Sequence, residues 1–257
     1  MRWREQVALV TGSGRGIGRS IARRLAREGA AVCVNYANRA DAAESLVADI
    51  RANGGRAIAE MADVSDDAAV EGMVDRIASE FGAVSILVNN AGLSYPATLD
   101  SYDAEKLAQM RQVNVDGAIH TIRAVMAGMR RQRYGRIVNV TSIAAIGTSL
   151  ANNTFYAMTK AELQILTRRT ALELGPHGVT VNAVAPGFIQ TDMSRRGRAD
   201  EDWANVAREI GSRAMTGRVG DPEDVANAVA FFASPDSGWV TAQFLAVDGG
   251  RMDYIGP

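Results

Sequence analysis

A hydroxyl, a phenol and an ammonium occur in one short stretch of the chain, at Ser142, Tyr156 and Lys160. Tyr156 and Lys160 are four residues apart in a helical pattern, and residues four apart on a helix share a face. Ser142 directly follows an apolar, β-branched run at residues 137–141, which is typical of a strand. Gathered in one place, these three groups suit proton delivery to a carbonyl oxygen, so the rest of the chain must bring a hydride donor there.

Short apolar runs alternate with helical patterns along the chain. Such alternation predicts a parallel sheet, because each right-handed crossover lays a helix over one face. We expect an α/β fold: a single-domain, Rossmann-type, doubly wound parallel sheet of about seven strands with helices on both faces, formed by residues 1–257. Strands are predicted at residues 7–11, 31–34, 56–61, 85–89, 136–141, 179–184 and 244–247. Helices are predicted at about residues 17–28, 40–52, 66–81 with Ser65 as N-cap, 104–133 with a bend near Gly117, 156–174 and 221–234.

Small and polar residues directly follow five of these strands. In a doubly wound sheet the ligand binds at the carboxyl ends of the strands. These residues should therefore line one crevice: Gly12, Asp63, Asn90, Ser142 and Pro186.

A glycine-rich loop links the first strand to the first helix. Glycines allow a tight turn and let a pyrophosphate approach the amide groups of a helix N-terminus. The spacing, G-x-x-x-G-x-G from Gly12 to Gly18, differs from the usual dinucleotide fingerprint, and a turn that merely needs positive φ is the alternative. The strand–loop–helix context favours a cofactor site formed by Gly12, Ser13, Gly14, Arg15, Gly16, Ile17 and Gly18.

The end of the second strand predicts which dinucleotide binds. A carboxylate is expected there to bond a ribose 2′-hydroxyl, but Asn35 and Tyr36 occupy the position and Asp41 lies beyond it. Arg15 and Arg39 would attract a 2′-phosphate. We infer NADP(H) rather than NAD(H), although a solvated start of the next helix is the alternative role for Arg39.

Composition and charge exclude several classes of protein. The chain is 47% apolar and 22% charged with a net charge of -1, which argues against nucleic-acid or anionic-membrane partners. Cys33 is the only cysteine and precludes an internal disulfide, which is typical of a reducing compartment. No signal-peptide pattern begins the sequence, so we expect a cytoplasmic protein, and we predict no metal site.

Six motifs in order resemble those of the short-chain dehydrogenase/reductase family, over nearly the whole chain. They are T-G-x-x-x-G-x-G from Thr11, N-N-A-G from Asn89, Asn114, Ser142, Y-x-x-x-K from Tyr156 and P-G at Pro186. The resemblance implies that Tyr156 is the general acid or base, that Lys160 lowers its pKa and bonds the nicotinamide ribose, and that Ser142 holds the substrate oxygen. It implies that Asn114 anchors a water relaying protons to Lys160. Further cofactor contacts are expected from Asp63, Val64, Asn90, Ala91, Gly92, Pro186, Gly187, Ile189 and Thr191.

Each of these residues has a simpler alternative role. Ser142 could cap a strand end, Asn114 could bond backbone at a helix bend, Asp63 could form a turn, and Thr191 could be an N-cap. These alternatives carry weight for a residue considered alone, and little weight when the same residue is considered together with Tyr156.

The sequence of these motifs most resembles that of bacterial 3-oxoacyl-[acyl-carrier-protein] reductases. This resemblance implies NADPH-dependent reduction of a 3-oxoacyl thioester by a homotetramer. Those enzymes bind an acidic carrier through basic residues; Arg133 matches one position, but His177 stands at the other and leaves carrier binding open. The alternatives are a sugar or secondary-alcohol dehydrogenase, a broad carbonyl reductase, and a non-catalytic dinucleotide-binding regulator. Residues 188–217 are predicted to form a lid over the substrate.

Overall fold

The computed structural model describes residues 3–148, 150–195 and 199–251. These residues form a seven-stranded sheet in which all paired strands are parallel and the spatial order is β3-β2-β1-β4-β5-β6-β7. The strands are β1 Val7–Val10, β2 Ala31–Tyr36, β3 Arg56–Met61, β4 Ile86–Asn89, β5 Gly135–Val140, β6 Val179–Pro186 and β7 Phe244–Val247. This arrangement confirms the predicted doubly wound α/β fold.

Helices cover both faces of the sheet. They are α1 Gly16–Arg27, α2 Ala40–Ala52, α3 Asp67–Phe81, α4 Ala104–Arg111, α5 Gly117–Gln132, α6 Thr154–Leu174, α7 Asp192–Arg195, α8 Asp200–Gly211 and α9 Pro222–Ala233. Within the described ranges, no helix is long and apolar enough to cross a membrane.

Alternate residues of the strands enter two separate apolar cores. In β1, Ala8 and Val10 pack into the core beside α1 and α9, whereas Val7 and Leu9 pack into the core beside α3 and α5. Successive side chains of a strand point to opposite faces, so a strand buried on both faces is apolar along most of its length. The continuous apolar runs of the sequence follow from this burial.

Three boundaries differ from the prediction for local reasons. Asp66, not Ser65, caps α3 by accepting a hydrogen bond from the amide of Ala69 at 3.1 Å. The long middle helix is interrupted by a π-helical turn at Gln112–Asp116, just before the predicted bend. The polar segment after β6 is not a plain loop, because it contains α7 and α8.

Candidate active site

The end of β5 and the start of α6 bring the three predicted chemical groups together. Lys160 Nζ donates a 2.9 Å hydrogen bond to the carbonyl oxygen of Val140, which fixes the helix to the strand end. The same Nζ lies 5.7 Å from the centre of the Tyr156 ring. Ser142 hydrogen-bonds the Tyr156 side chain, and its Oγ also accepts from the amide of Ala144 at 3.1 Å. Ser142 therefore caps its turn and contacts the phenol.

Burial sets the protonation of this group of side chains. Removal from water raises the pKa of Tyr156 to about 12, and the Ser142 hydrogen bond offsets this in part. Burial lowers the pKa of Lys160 to about 8. Burial dominates the pKa of the phenol here, and a lowering of that pKa by Lys160 stays a prediction. The phenol is consequently protonated at neutral pH and can donate its proton.

Asn114 connects the middle helix to the loop that follows β4. Its Oδ1 accepts from the amide of Leu93 at 2.7 Å, and its Nδ2 donates to the Leu93 carbonyl and to Thr159 Oγ1, both at 3.0 Å. The π-helical turn adds a residue to the helical turn that carries Asn114. The backbone-bonding alternative for Asn114 therefore holds, and its bond to Thr159 places it one residue from Lys160.

The glycine loop packs tightly against the segment after β4. A Cβ on Gly12 would lie 3.0 Å from the Cα of Ala91, and one on Gly18 would lie 2.5 Å from Asn90 Nδ2. Gly12 and Gly16 have φ values of 59° and 55°, which favour glycine. Positive φ is therefore a real requirement of the loop, as the turn alternative proposed, and close packing is a second one.

The start of α1 has the features of an anion site. Arg15 occupies the N-cap position, and within the described part of the chain no side chain caps this helix and no acidic residue lies in its first turn. The free amides and the helix dipole favour a phosphate there. Toward Lys160, a Cβ on Gly92 would lie 3.5 Å from Nζ, so a glycine keeps the space beside the ammonium open. The residues present thus fit a dinucleotide lying from the α1 N-terminus to Lys160.

The end of β2 differs in detail from the prediction. Asn35 is buried, and its Oδ1 accepts from the Gly12 amide at 3.1 Å while its Nδ2 donates to the Ala62 carbonyl at 3.0 Å. Its side chain therefore shapes the glycine loop and does not face the crevice. Tyr36 is partly buried against the core beside α1.

The two arginines predicted to attract a 2′-phosphate both lie near carboxylates. Arg39 donates two 3.2 Å hydrogen bonds to Asp41, and an Arg15 guanidinium nitrogen lies 3.5 Å from Asp192. All four side chains are largely exposed. Exposed pairs are weak, so a phosphate dianion can compete for either guanidinium.

Three more of the predicted cofactor residues bond to or pack against other parts of the chain. Asp63 Oδ1 accepts from the amide and hydroxyl of Ser65, so the turn alternative holds for this oxygen. Val64 is buried against Gly117, and Asn90 Nδ2 donates to the carbonyls of Thr11 and Gly12. The side chains of Val64 and Asn90 therefore support the walls of the crevice.

The segment after β6 borders the glycine loop from the other side. A Cβ on Gly16 would lie 3.5 Å from Thr191 Cγ2, and one on Gly187 would lie 2.7 Å from Asp248. Ile189 is buried in the core beside α1. Thr191 Oγ1 accepts from the Ser194 amide at 3.3 Å, as the N-cap alternative for Thr191 expects.

The predicted lid is anchored by Trp203, which is 4% exposed and stacks on Phe188 with ring centres 5.7 Å apart. Arg195 bonds Asp200 at 2.8 Å. Arg196 and Arg198, noted in the sequence, lie outside the described residues. Closure of this segment stays a prediction.

Two threonines that sequence reasoning did not assign organise the site. Thr11 Oγ1 accepts from the amides of Asn90 and Ala91, both at 3.0 Å. Thr159 Oγ1 accepts from Asn114 and donates to the Tyr156 carbonyl at 2.9 Å. Their roles could have been inferred from the sequence, because the two threonines lie within the motifs T-G-x-x-x-G-x-G and Y-x-x-x-K.

Comparison with known proteins places the chain among characterised relatives. A family model described as "Enoyl-(Acyl carrier protein) reductase" matches residues 12–251. The short-chain reductase protein NovJ of Streptomyces niveus is 43% identical over 96% of this chain and 94% of its own length. The 3-oxoacyl-[acyl-carrier-protein] reductase FabG of Staphylococcus epidermidis is 41% identical over 95% of this chain and 97% of its own.

Solved structures share the fold and carry nicotinamide cofactors. A short-chain dehydrogenase from Burkholderia cenocepacia in complex with NADP has a TM-score of 0.87 and 39% identity, covering 97% of this chain and 99% of that one. A 7α-hydroxysteroid dehydrogenase complexed with NADH has a TM-score of 0.91 and 34% identity, covering 99% of this chain and 97% of that one.

Proposed function

The chain belongs to the short-chain dehydrogenase/reductase family of oxidoreductases, and we propose that it reduces a ketone with NADPH, its specific substrate being a 3-oxoacyl thioester. The observation that carries the proposal is the grouping of the Tyr156 phenol with Ser142, which hydrogen-bonds it, and with Lys160, whose Nζ lies 5.7 Å from the centre of the ring. A ketone becomes an alcohol by gaining a hydride at carbon and a proton at oxygen. NADPH, when bound, supplies the hydride, and the chain must supply the proton.

The roles of the side chains follow from their positions. Tyr156 donates its proton to the carbonyl oxygen, and Ser142 donates a hydrogen bond to the same oxygen as negative charge develops on it. Lys160, fixed to Val140 and close to Gly92, would bond the cofactor ribose. Asn114 positions Thr159 and the Leu93 backbone around it.

The proposed cofactor is NADP(H). The α1 N-terminus and glycine loop would hold the diphosphate, and Arg15 and Arg39 would attract the 2′-phosphate. The lack of a carboxylate at the end of β2 supports this preference. The neighbouring structures include both NADP and NADH complexes, so both cofactors belong in the test.

The decisive test is a substrate panel assayed with NADPH and NADH. We expect NADPH oxidation with acetoacetyl-N-acetylcysteamine, and little reaction with glucose or secondary alcohols and NADP⁺. A crotonyl thioester belongs in the panel because the matching family description names enoyl reduction. Oxidation of NADPH by the crotonyl but not the acetoacetyl thioester would overturn the proposed substrate, and turnover of no carbonyl would favour the binding regulator.

Tyr156→Phe tests the assignment of the proton donor. Loss of a general acid lowers kcat by about 10²–10⁴-fold. Tyr134→Phe is the matched control, since it makes the same change at the opposite end of β5, where the Tyr134 hydroxyl is buried without a hydrogen-bond partner among the described residues. Equal rates for Tyr156→Phe and wild type would refute the role of Tyr156.

We also propose that the chain forms a homotetramer in the cytoplasm. Helix α6 exposes Met158, Ile165 and Leu172, which are seven residues apart and lie along one stripe. Trp239 is 99% exposed near the edge strand β7. An exposed apolar stripe of this kind suits a subunit interface. Light scattering should give four chains per particle, and Ile165→Lys should lower that number.

A further inference from the structure

A cavity of about 280 Å³ lies beside the candidate active site, between the loop after β4, helix α4 and the first turn of α6. Three aromatic side chains contribute to its walls, Tyr95, Tyr102 and Phe155, together with Leu107 and Met110. The rings of Tyr102 and Phe155 form a tilted pair with centres 5.2 Å apart. The proton-donating residues do not need this aromatic lining, so it calls for another explanation.

The lining of the cavity lies close in sequence to the reacting groups at two places. Phe155 directly precedes Tyr156, so one wall is built on the same helical turn as the proton donor. Tyr95 is three residues after Gly92, which lies beside Lys160, and three extended residues span at most about 10 Å. The backbone between them is held at two points, Leu93 by Asn114 and the Tyr95 amide by Met110 Sδ at 3.3 Å.

Size and chemistry indicate what the cavity accepts. An apolar cavity of about 150 Å³ binds benzene, so 280 Å³ holds one aromatic ring with a short connecting group. Aromatic rings gain extra attraction from offset or edge-to-face contact with other rings. Two charged groups line this cavity, Lys106 and Asp103, and they pair with each other at 3.0 Å, so the cavity has no net charge from its lining.

We propose that this cavity, the aromatic pocket, binds an aryl group attached to the carbonyl carbon, so that the substrate is an aryl ketone rather than a linear 3-oxoacyl chain. The inference rests on the proposed function, because the ring is placed relative to a carbonyl held at Tyr156 and Ser142. It narrows the substrate class to 3-aryl-3-oxoacyl thioesters.

The test compares kcat/KM for three N-acetylcysteamine thioesters: acetoacetyl, 3-oxo-3-phenylpropanoyl and 3-oxo-3-cyclohexylpropanoyl. We expect the phenyl compound to exceed the acetoacetyl compound by at least tenfold and to exceed the cyclohexyl compound as well. Tyr102→Ala should lower kcat/KM for the phenyl compound about tenfold, which corresponds to roughly 1.4 kcal/mol for a lost aromatic contact, and leave the acetoacetyl value unchanged. Tyr102 is 56% exposed, so its removal should not unfold the chain.

Two further variants sharpen the result. Leu107→Trp should fill the pocket and abolish the phenyl preference, whereas Leu99→Ala, on the same loop, 77% exposed and outside the pocket lining, should change nothing. Acetoacetyl turnover with no phenyl preference overturns the pocket alone. If no thioester is reduced, the proposed function fails, and calorimetric binding of the phenyl thioester to wild type and Tyr102→Ala then decides the pocket: equal affinity refutes it.

Discussion

Replacing Lys160 by methionine should stabilise the folded chain while abolishing its reaction. Lys160 is 4% exposed, and burial lowers its pKa from the ordinary 10.5 to about 8. One pKa unit corresponds to 1.36 kcal/mol, so keeping this ammonium in the folded state costs about 3 kcal/mol at neutral pH. Methionine removes that cost but leaves the Val140 carbonyl without its 2.9 Å partner, which costs about 1–3 kcal/mol for a buried acceptor. The net expectation is about 0–2 kcal/mol of added stability at neutral pH.

The pH dependence distinguishes this cause from better packing. Between about pH 8 and 10.5 the unfolded chain binds a proton at Lys160 that the folded chain does not, so wild-type stability rises with pH in this window. The cost is present in full below pH 8 and disappears near pH 10.5. The advantage of Lys160→Met should therefore be greatest at neutral pH and vanish or reverse by about pH 10.5.

Guanidinium unfolding at fixed protein concentration, from pH 7 to 10.5, measures this difference directly. The chain has only one other lysine, Lys106, whose side chain is 59% exposed, so Lys106→Met is the control and should show no change in this window. A Lys160→Met variant that is less stable than wild type at pH 7, or whose advantage does not depend on pH, would refute the reasoning.

Three further predictions follow from contacts around the cofactor site and α5. Asp41→Ala should free Arg39 from its two hydrogen bonds and lower KM for NADPH several-fold with no effect on NADH; an unchanged ratio would exclude Arg39 from 2′-phosphate binding. Gly18→Ala would place a Cβ 2.5 Å from Asn90 Nδ2 and should weaken NADPH binding, measured by fluorescence titration, by at least tenfold, whereas Gly128→Ala meets only ordinary contacts and should not. Arg133→Glu, at the C-cap of α5, should reduce kcat/KM for a carrier-linked thioester but not for the cysteamine thioester, and equal effects on both would argue against carrier docking.

The fold followed from sequence because its main determinants are local. A strand buried on both faces is mostly apolar, and β1, β2 and β4 stand out for that reason although Asn35 and Asn89 are buried at the ends of β2 and β4. Helix caps were less certain, since Ser65 and Asp66 are adjacent and either can cap. The choice depends on backbone geometry, because Ser65 already bonds Asp63.

Long-range contacts explain what the sequence could not predict. The amide of Asn35 bonds Gly12 and Ala62, which are 23 and 27 residues away, so a residue that seemed to mark cofactor choice instead shapes the loop. The π-helical turn at Asn114 depends on bonds to Leu93, 21 residues earlier. The Arg39–Asp41 pair is the exception, because a separation of two residues made it visible in the sequence.

Burial of Tyr156 suits the proposed reduction at neutral pH. Reduction needs a protonated phenol, and oxidation of an alcohol needs the phenolate. A pKa of about 12 for Tyr156 keeps the phenolate scarce at neutral pH, so the oxidative direction requires a further cation or a pH well above neutral. A pKa of about 8 keeps Lys160 mostly charged at pH 7 but lets it lose its proton just above. The rate of ketone reduction should therefore decline through pH 8 while Tyr156 is still protonated, and a reduction rate that stays flat up to pH 10 would show that the charge of Lys160 is not needed.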